Sequence, residues 1–162
     1  MVELIDHLVY DTIGLIHLIA AIIALITGTL QLIMTKGTSI HKKIGTIYAI
    51  SMSVLLITAF MIYRLFGGFG LFHVAAVISS ITLVGGMVPI LLRKPEGSWL
   101  SLHFSFMYWS VMGLYMAFAA EVLTRIPDTP FFGIVGLATG AIGLAGGIYF
   151  YSHEDKWDEI LD

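Results

Sequence analysis

Four histidines carry the chemistry that this sequence could perform, since each lies in or beside a long apolar stretch: His17, His41, His73 and His103. Imidazole is a common ligand of transition metals and haem iron, and it also carries protons near neutral pH. His41 stands with two lysines in the stretch SIHKKIGTIYAI, at the entrance to an apolar run. What these side chains can do depends on the elements that hold them.

The apolar runs predict membrane-spanning helices. Hydrophobic residues make up 58% of the chain and charged residues 12%, and the mean hydropathy is +0.94, outside the usual range of soluble domains. Charge-free runs of the roughly 20 residues that a spanning helix needs recur along the chain. Because these runs do not alternate between apolar and polar residues, and because they are too long for barrel strands, we predict an all-α integral membrane protein. The predicted helices cover residues 12–35, 44–64, 70–92, 98–121 and 130–152.

The connections and charges predict a topology. Short loops favour antiparallel neighbours, so we expect an up-and-down bundle of four helices plus a glycine-rich fifth, in one domain covering residues 1–162. One side carries most of the basic residues, namely Lys36, Lys42, Lys43, Arg93, Lys94 and Lys156, and the other has only Arg64 and Arg125. The positive-inside rule then places the N-terminus outside a cell membrane and the C-terminus in the cytoplasm.

Composition also limits the partners. The net charge is −3 and no basic stripe is present, so we expect the lipid bilayer and no nucleic acid as a partner. The absence of cysteine excludes disulfides, iron–sulfur clusters and cysteine-based zinc sites.

Threading the chain through the membrane groups the histidines by depth. His17 and His73 fall near the outer ends of the first and third helices, and His41 and His103 near the inner ends of the second and fourth. Diagonal helices of a four-helix bundle could clamp a macrocycle between two axial imidazoles. The first hypothesis is therefore a protein that binds haem b through these two pairs. It would relay electrons between a quinol or another small reductant and an acceptor, with a quinone or a redox protein as partner.

Glu121 opens an alternative. It lies about five helical turns from His103 on the same face, level with His17 and His73. Two histidines and a carboxylate with a position left for water also form a zinc site, which predicts an intramembrane zinc-binding protein or hydrolase. Glu121 could instead pair with Arg125, four positions on. The third hypothesis is a non-catalytic membrane subunit whose polar side chains only join helices.

Glycines in the predicted fifth helix recur at alternating steps of three and four: Gly133, Gly136, Gly140, Gly143 and Gly147. Such a seam allows two helix backbones to approach closely in lipid. We expect it to dock the fifth helix on its own bundle, and a homodimer through the Gly133–Gly147 seam is the alternative.

The sequence around His41 resembles a known family. His41, Gly45 and Tyr48 form the pattern His-Lys-x-x-Gly-x-x-Tyr, which follows a first helix that carries Gln31. This resembles a family of small prokaryotic multi-pass proteins catalogued as predicted membrane proteins of unknown function. Its signature is His-Arg/Lys-x-x-Gly-x-x-Tyr at the head of a helix, with a later helix-opening histidine that His103 would match without its usual basic neighbour. The similarity covers the first four helices and implies no activity.

Gly45 and Tyr48 have physical roles under either reading. Gly45, one turn after His41, opens space for a porphyrin edge or a neighbouring backbone. Tyr48 could hydrogen-bond a haem propionate, a quinone or another helix. In helix number and histidine placement alone, the chain is also similar to di-haem b-type cytochromes and ferric-reductase-like membrane domains.

Overall fold

Five α-helices and no strand form the regular structure of residues 12–63, 67–125 and 130–153, which are the residues that the computed structural model describes. They are α1 (Thr12–Ile33), α2 (Ser39–Met61), α3 (Leu71–Leu92), α4 (Trp99–Leu123) and α5 (Phe131–Ser152). Each is long and apolar enough to cross a membrane. The prediction of an all-α membrane protein with five spanning helices is confirmed.

The chain separates into two units, residues 1–84 and 85–162. The first contains α1, α2 and the first part of α3, and the second contains the rest of α3, α4 and α5. The up-and-down bundle and the single domain stay predictions.

In the first unit, α1 packs on α2 through small residues. Ala24 is fully buried on α1, and Tyr48 and Met52, at 0% and 1% exposure, are buried on α2. Small side chains on one helix let large ones on the other reach its backbone, which is how helices associate where lipid is as apolar as their surfaces. This packing fixes α1 beside the face of α2 that begins at His41.

The start of α2 differs from the prediction. The helix begins at Ser39, whereas the boundary predicted from charge lay at residue 44. Thr38 is the N-cap, because its hydroxyl oxygen accepts a hydrogen bond from the backbone N–H of His41 at 3.1 Å. Lys42 and Lys43 lie in the first turns and are exposed, where long side chains keep their ammonium groups near the headgroups. His41 is therefore a helical residue.

Lys36 closes the other side of this turn. Its ammonium donates hydrogen bonds to the carbonyl of Gln31 and to those of Leu32 and Met34, both at 3.2 Å. A cation on the last carbonyls of a helix satisfies acceptors that lack helical partners and complements the helix dipole. Burial lowers the pKa of the Lys36 ammonium. Lys36 therefore caps the C-terminal end of α1. It is also one of the basic residues from which the topology was predicted.

In the second unit, α5 docks on α4 through its C-terminal half. The Tyr108 hydroxyl donates a hydrogen bond to the Gly146 carbonyl at 2.8 Å, and a Cβ at Gly146 would lie 2.9 Å from Met112 Sδ. α5 therefore docks on α4 of its own chain, but Gly146 is not one of the five seam glycines. Of these, a Cβ at Gly143 would lie 3.3 Å from Met116 Sδ and one at Gly147 would lie 3.6 Å from the Trp109 ring. Docking on a bundle stays a prediction. At Gly136 and Gly140 a Cβ would meet nothing within 4 Å. The homodimer through the seam stays a prediction.

Candidate functional site

His103 has the geometry most typical of a ligand. Its Nδ1 lies 2.8 Å from the carbonyl oxygen of Gly86. A carbonyl can only accept a hydrogen bond, so Nδ1 carries the proton and Nε2 carries the lone pair. Histidines that bind metals usually donate their second ring N–H to a carbonyl or carboxylate in this way, which fixes both the tautomer and the ring orientation. In the described part of the chain, Nε2 of His103 makes no hydrogen bond.

A proline follows the carbonyl that His103 uses. Pro89 lies inside α3, and because proline has no N–H, the carbonyl of Gly85 loses its helical donor. His103 bonds the carbonyl of the next residue, Gly86. The residue four positions after Gly86 is not a proline, so Pro89 does not free this carbonyl.

Two glycines bring α3 and α4 together at this point. A Cβ at Gly85 would lie 2.7 Å from Cδ1 of Phe106, and a Cβ at Gly86 would lie 2.6 Å from Sδ of Met107 and 3.2 Å from its backbone nitrogen. Such distances are shorter than van der Waals contact, so only glycine fits without movement. The hydrogen bond from His103 depends on this close approach.

His17 joins α1 to α2. Its Nδ1 lies 2.9 Å from Oγ1 of Thr58. The same hydroxyl also lies 2.9 Å from the carbonyls of Val54 and Leu55. A hydroxyl can donate its single proton to one of these acceptors and accept a second hydrogen bond, so this contact fits either tautomer of His17.

His73 has the opposite tautomer to His103. Its Nδ1 accepts a hydrogen bond from the backbone N–H of Gly70 at 3.2 Å, so the ring proton lies on Nε2. His73 is the third residue of α3 and closes its first turn, as the glutamate or glutamine of a capping box does. The residue is 3% exposed, and Nε2 has no hydrogen-bond partner among the residues that the structure describes. A buried donor without a partner costs about 1–3 kcal/mol.

Aromatic rings surround His73 within the first unit. Tyr63 stacks on the imidazole with centroids 4.6 Å apart, Phe69 lies at 5.1 Å and Phe60 at 6.5 Å. We call these four residues the His73 cluster. A protonated Nε2 cannot bind a metal, so His73 does not present a lone pair to iron or zinc in this structure. The His17/His73 ligand pair stays a prediction.

The His41 motif joins α1 to the head of α2. The Gln31 side-chain amide donates to the His41 carbonyl at 2.7 Å, and a Cβ at Gly45 would lie 2.8 Å from that same Gln31 nitrogen. Gly45 therefore makes room for the Gln31 side chain, whereas the space predicted for it was for a porphyrin edge or a neighbouring backbone. The His41 residue is partly buried, with Nδ1 buried, and Tyr48 is fully buried. Whether these side chains bind a cofactor stays a prediction.

Glu121 forms the ion pair that the sequence offered as its simpler role. Its carboxylate accepts from the Arg125 guanidinium at 3.1 Å, and both side chains are nearly half exposed. Exposed pairs four residues apart stabilise a helix by only about 0.3–0.5 kcal/mol. Within residues 12–63, 67–125 and 130–153, no group of three or more His, Asp or Glu residues could hold a metal ion. The zinc site of His17, His73 and Glu121 stays a prediction.

Sequence reasoning missed the hydrogen-bond partners Thr58, Gly70 and Gly86. One signal was available for His73, because a histidine three residues after a glycine at a helix start can close the first turn.

The chain was also compared with known proteins. The model of the family described as "Predicted membrane protein (DUF2306)" matches residues 14–146. No curated protein and no solved structure matches the chain. Since the family model covers most of the chain, the protein belongs to this family, as the pattern at His41 predicted.

Proposed function

We propose that this DUF2306 protein binds haem b in the membrane and relays electrons between a quinol or another small reductant and an acceptor. Bound haem would supply one-electron redox chemistry, and the protein would supply axial imidazoles, an apolar surrounding and orientation. His103 is the ligand that we assign with most support. His41, the partner that the sequence pairs with it, lies in the other unit, and that pairing belongs to the proposal.

The observation that supports the proposal is the hydrogen bond between His103 Nδ1–H and the Gly86 carbonyl. It holds Nε2 unprotonated, and it makes the ring a better electron donor to a metal. His17, whose Nδ1 lies 2.9 Å from the Thr58 hydroxyl, is the second histidine that we propose as a ligand. Neither feature is needed for a histidine that only anchors a helix at the membrane surface, since such a ring can exchange its proton with water.

The absorption spectrum of the detergent-purified protein tests the proposal. We expect a Soret band in the air-oxidised protein, and α and β bands that appear on reduction with dithionite. Cells supplied with ample haem precursor should yield at least one haem per chain. A featureless visible spectrum from such cells would exclude the haem proposal.

The proposed orientation places the N-terminus outside the cell membrane. Lys42, Lys43, Arg93 and Lys94 are exposed, so they are able to reach the headgroups of the inner leaflet. The chain contains no cysteine, which allows clean labelling with a membrane-impermeant maleimide. Gly68→Cys should react in intact cells, and Glu96→Cys only after lysis. The reverse pattern would invert the topology.

A further inference from the structure

We propose that His73 is the hydrogen-bond donor of a quinone-binding site at the start of α3, and not a ligand of iron or zinc. The inference deepens the proposed function, because it assigns the quinone partner to a place in the chain. Its geometric basis lies wholly in the first unit and does not depend on haem.

The hydrogen bond at His73 has a fixed direction. Nδ1 of His73 is occupied by the N–H of Gly70, so Nε2 can only donate. Nε2 is buried and has no partner in the part of the chain that the structure describes. A buried donor of this kind requires an acceptor, and a carbonyl oxygen of a ligand would supply one.

The surroundings of His73 indicate the shape and charge of the ligand. The imidazole is surrounded by the rings of Phe60, Tyr63 and Phe69, and aromatic rings pack best against other flat rings. The neighbouring rings of Phe60, Tyr63 and Phe69 carry no charge, which favours a neutral molecule. The cluster lies where the membrane-spanning helix α2 ends and α3 begins, a position that lipid-soluble molecules can reach. A flat, neutral, lipid-soluble ring with a carbonyl acceptor is a quinone.

Two of the rings around His73 are themselves exposed, Phe69 at 64% and Tyr63 at 46%. Gly67 and Gly68 precede Phe69, and a Cβ at either would meet nothing within 4 Å. We infer that a ligand ring enters by displacing Phe69, whose ring centroid lies 5.1 Å from that of His73.

Equilibrium dialysis of the purified wild type provides the first test, with duroquinone as the probe and durene as its control. Durene has the same methylated ring but no oxygen, so it measures ring packing alone. We expect duroquinone to bind about tenfold more tightly, the usual effect of one buried hydrogen bond. The carbonyl stretching frequency of bound duroquinone should also fall, as hydrogen bonding predicts. Equal binding of the two molecules would overturn the proposal.

Two substitutions separate the nitrogens of His73. In His73→Asn the amide oxygen takes the place of Nδ1 and can still accept from Gly70, but the donor at Nε2 is lost. In His73→Gln the amide nitrogen takes the place of Nε2 and restores the donor. We expect His73→Asn to bind duroquinone about tenfold more weakly with no carbonyl shift, and His73→Gln to recover much of both. Equal affinity in the wild type and His73→Asn would contradict the role of the donor.

The haem content of the same samples distinguishes this inference from the proposed function. His73→Asn should retain the haem of the wild type, and its loss would make His73 a ligand and overturn the inference. A wild type that prefers duroquinone but has no haem would remove the haem relay and leave the quinone site in place. A wild type with haem and no preference for duroquinone would remove the quinone site and leave the haem relay in place.

Discussion

Replacing His103 with alanine is expected to abolish the haem that this residue binds. Nε2 of His103 carries the lone pair because Nδ1–H donates to the Gly86 carbonyl at 2.8 Å, and alanine offers no ligand in its place. The reduced α band should fall to background if one haem is present, and to about half if both predicted pairs bind haem. The measurement is the dithionite-reduced minus oxidised spectrum per mole of purified protein.

His103→Asn is the matched control for this experiment. Its amide nitrogen can donate to Gly86 as Nδ1 does, whereas nothing replaces Nε2. We expect it to lose the haem as His103→Ala does. Its free energy of unfolding should exceed that of His103→Ala by about 1 kcal/mol because it keeps the hydrogen bond. Haem retained in both variants would show that His103 is not a ligand. Haem retained in His103→Asn but lost in His103→Ala would show that His103 acts by holding α3 and α4 together.

The helices could be predicted from sequence because hydrocarbon imposes a simple rule. A chain that crosses it needs a long charge-free run, and the predicted range 70–92 differs by one residue from α3, Leu71–Leu92. The rule failed at the start of α2, where charge was taken as the boundary. Lysines can extend from a helix toward the headgroups, and the boundary is set instead by the cap at Thr38.

The sequence predicted which residues form the candidate site, but not which ring nitrogen of each histidine carries the proton. His73 and His103 both lie near the start of a helix, and the sequence assigned both to ligand pairs. Their tautomers differ because Gly70 offers an N–H to one and Gly86 a carbonyl to the other. The Gly70 contact is local, so the helix start could have indicated it. The Gly86 contact joins two helices, and no pattern within either helix specifies it.

Gly85→Ala is expected to destabilise the protein by about 1–3 kcal/mol, the usual result of overpacking. The new Cβ would lie 2.7 Å, 2.9 Å and 3.0 Å from three ring atoms of Phe106. A flexible side-chain end could move away, but a ring on a packed helix must move as a whole. Thermal unfolding in detergent, followed by circular dichroism, would measure the loss.

Gly140→Ala supplies the control, because a Cβ there would meet nothing within 4 Å. Alanine is the better helix former, so this variant should be unchanged or gain up to about 1 kcal/mol. The two substitutions add the same methyl group to a helix, and only the first adds it where α3 meets α4. Gly85→Ala should also lower haem content, since separating these helices lengthens the hydrogen bond that orients His103. Equal stability of the two variants would contradict the close approach and, with it, the geometric basis for His103 as a ligand.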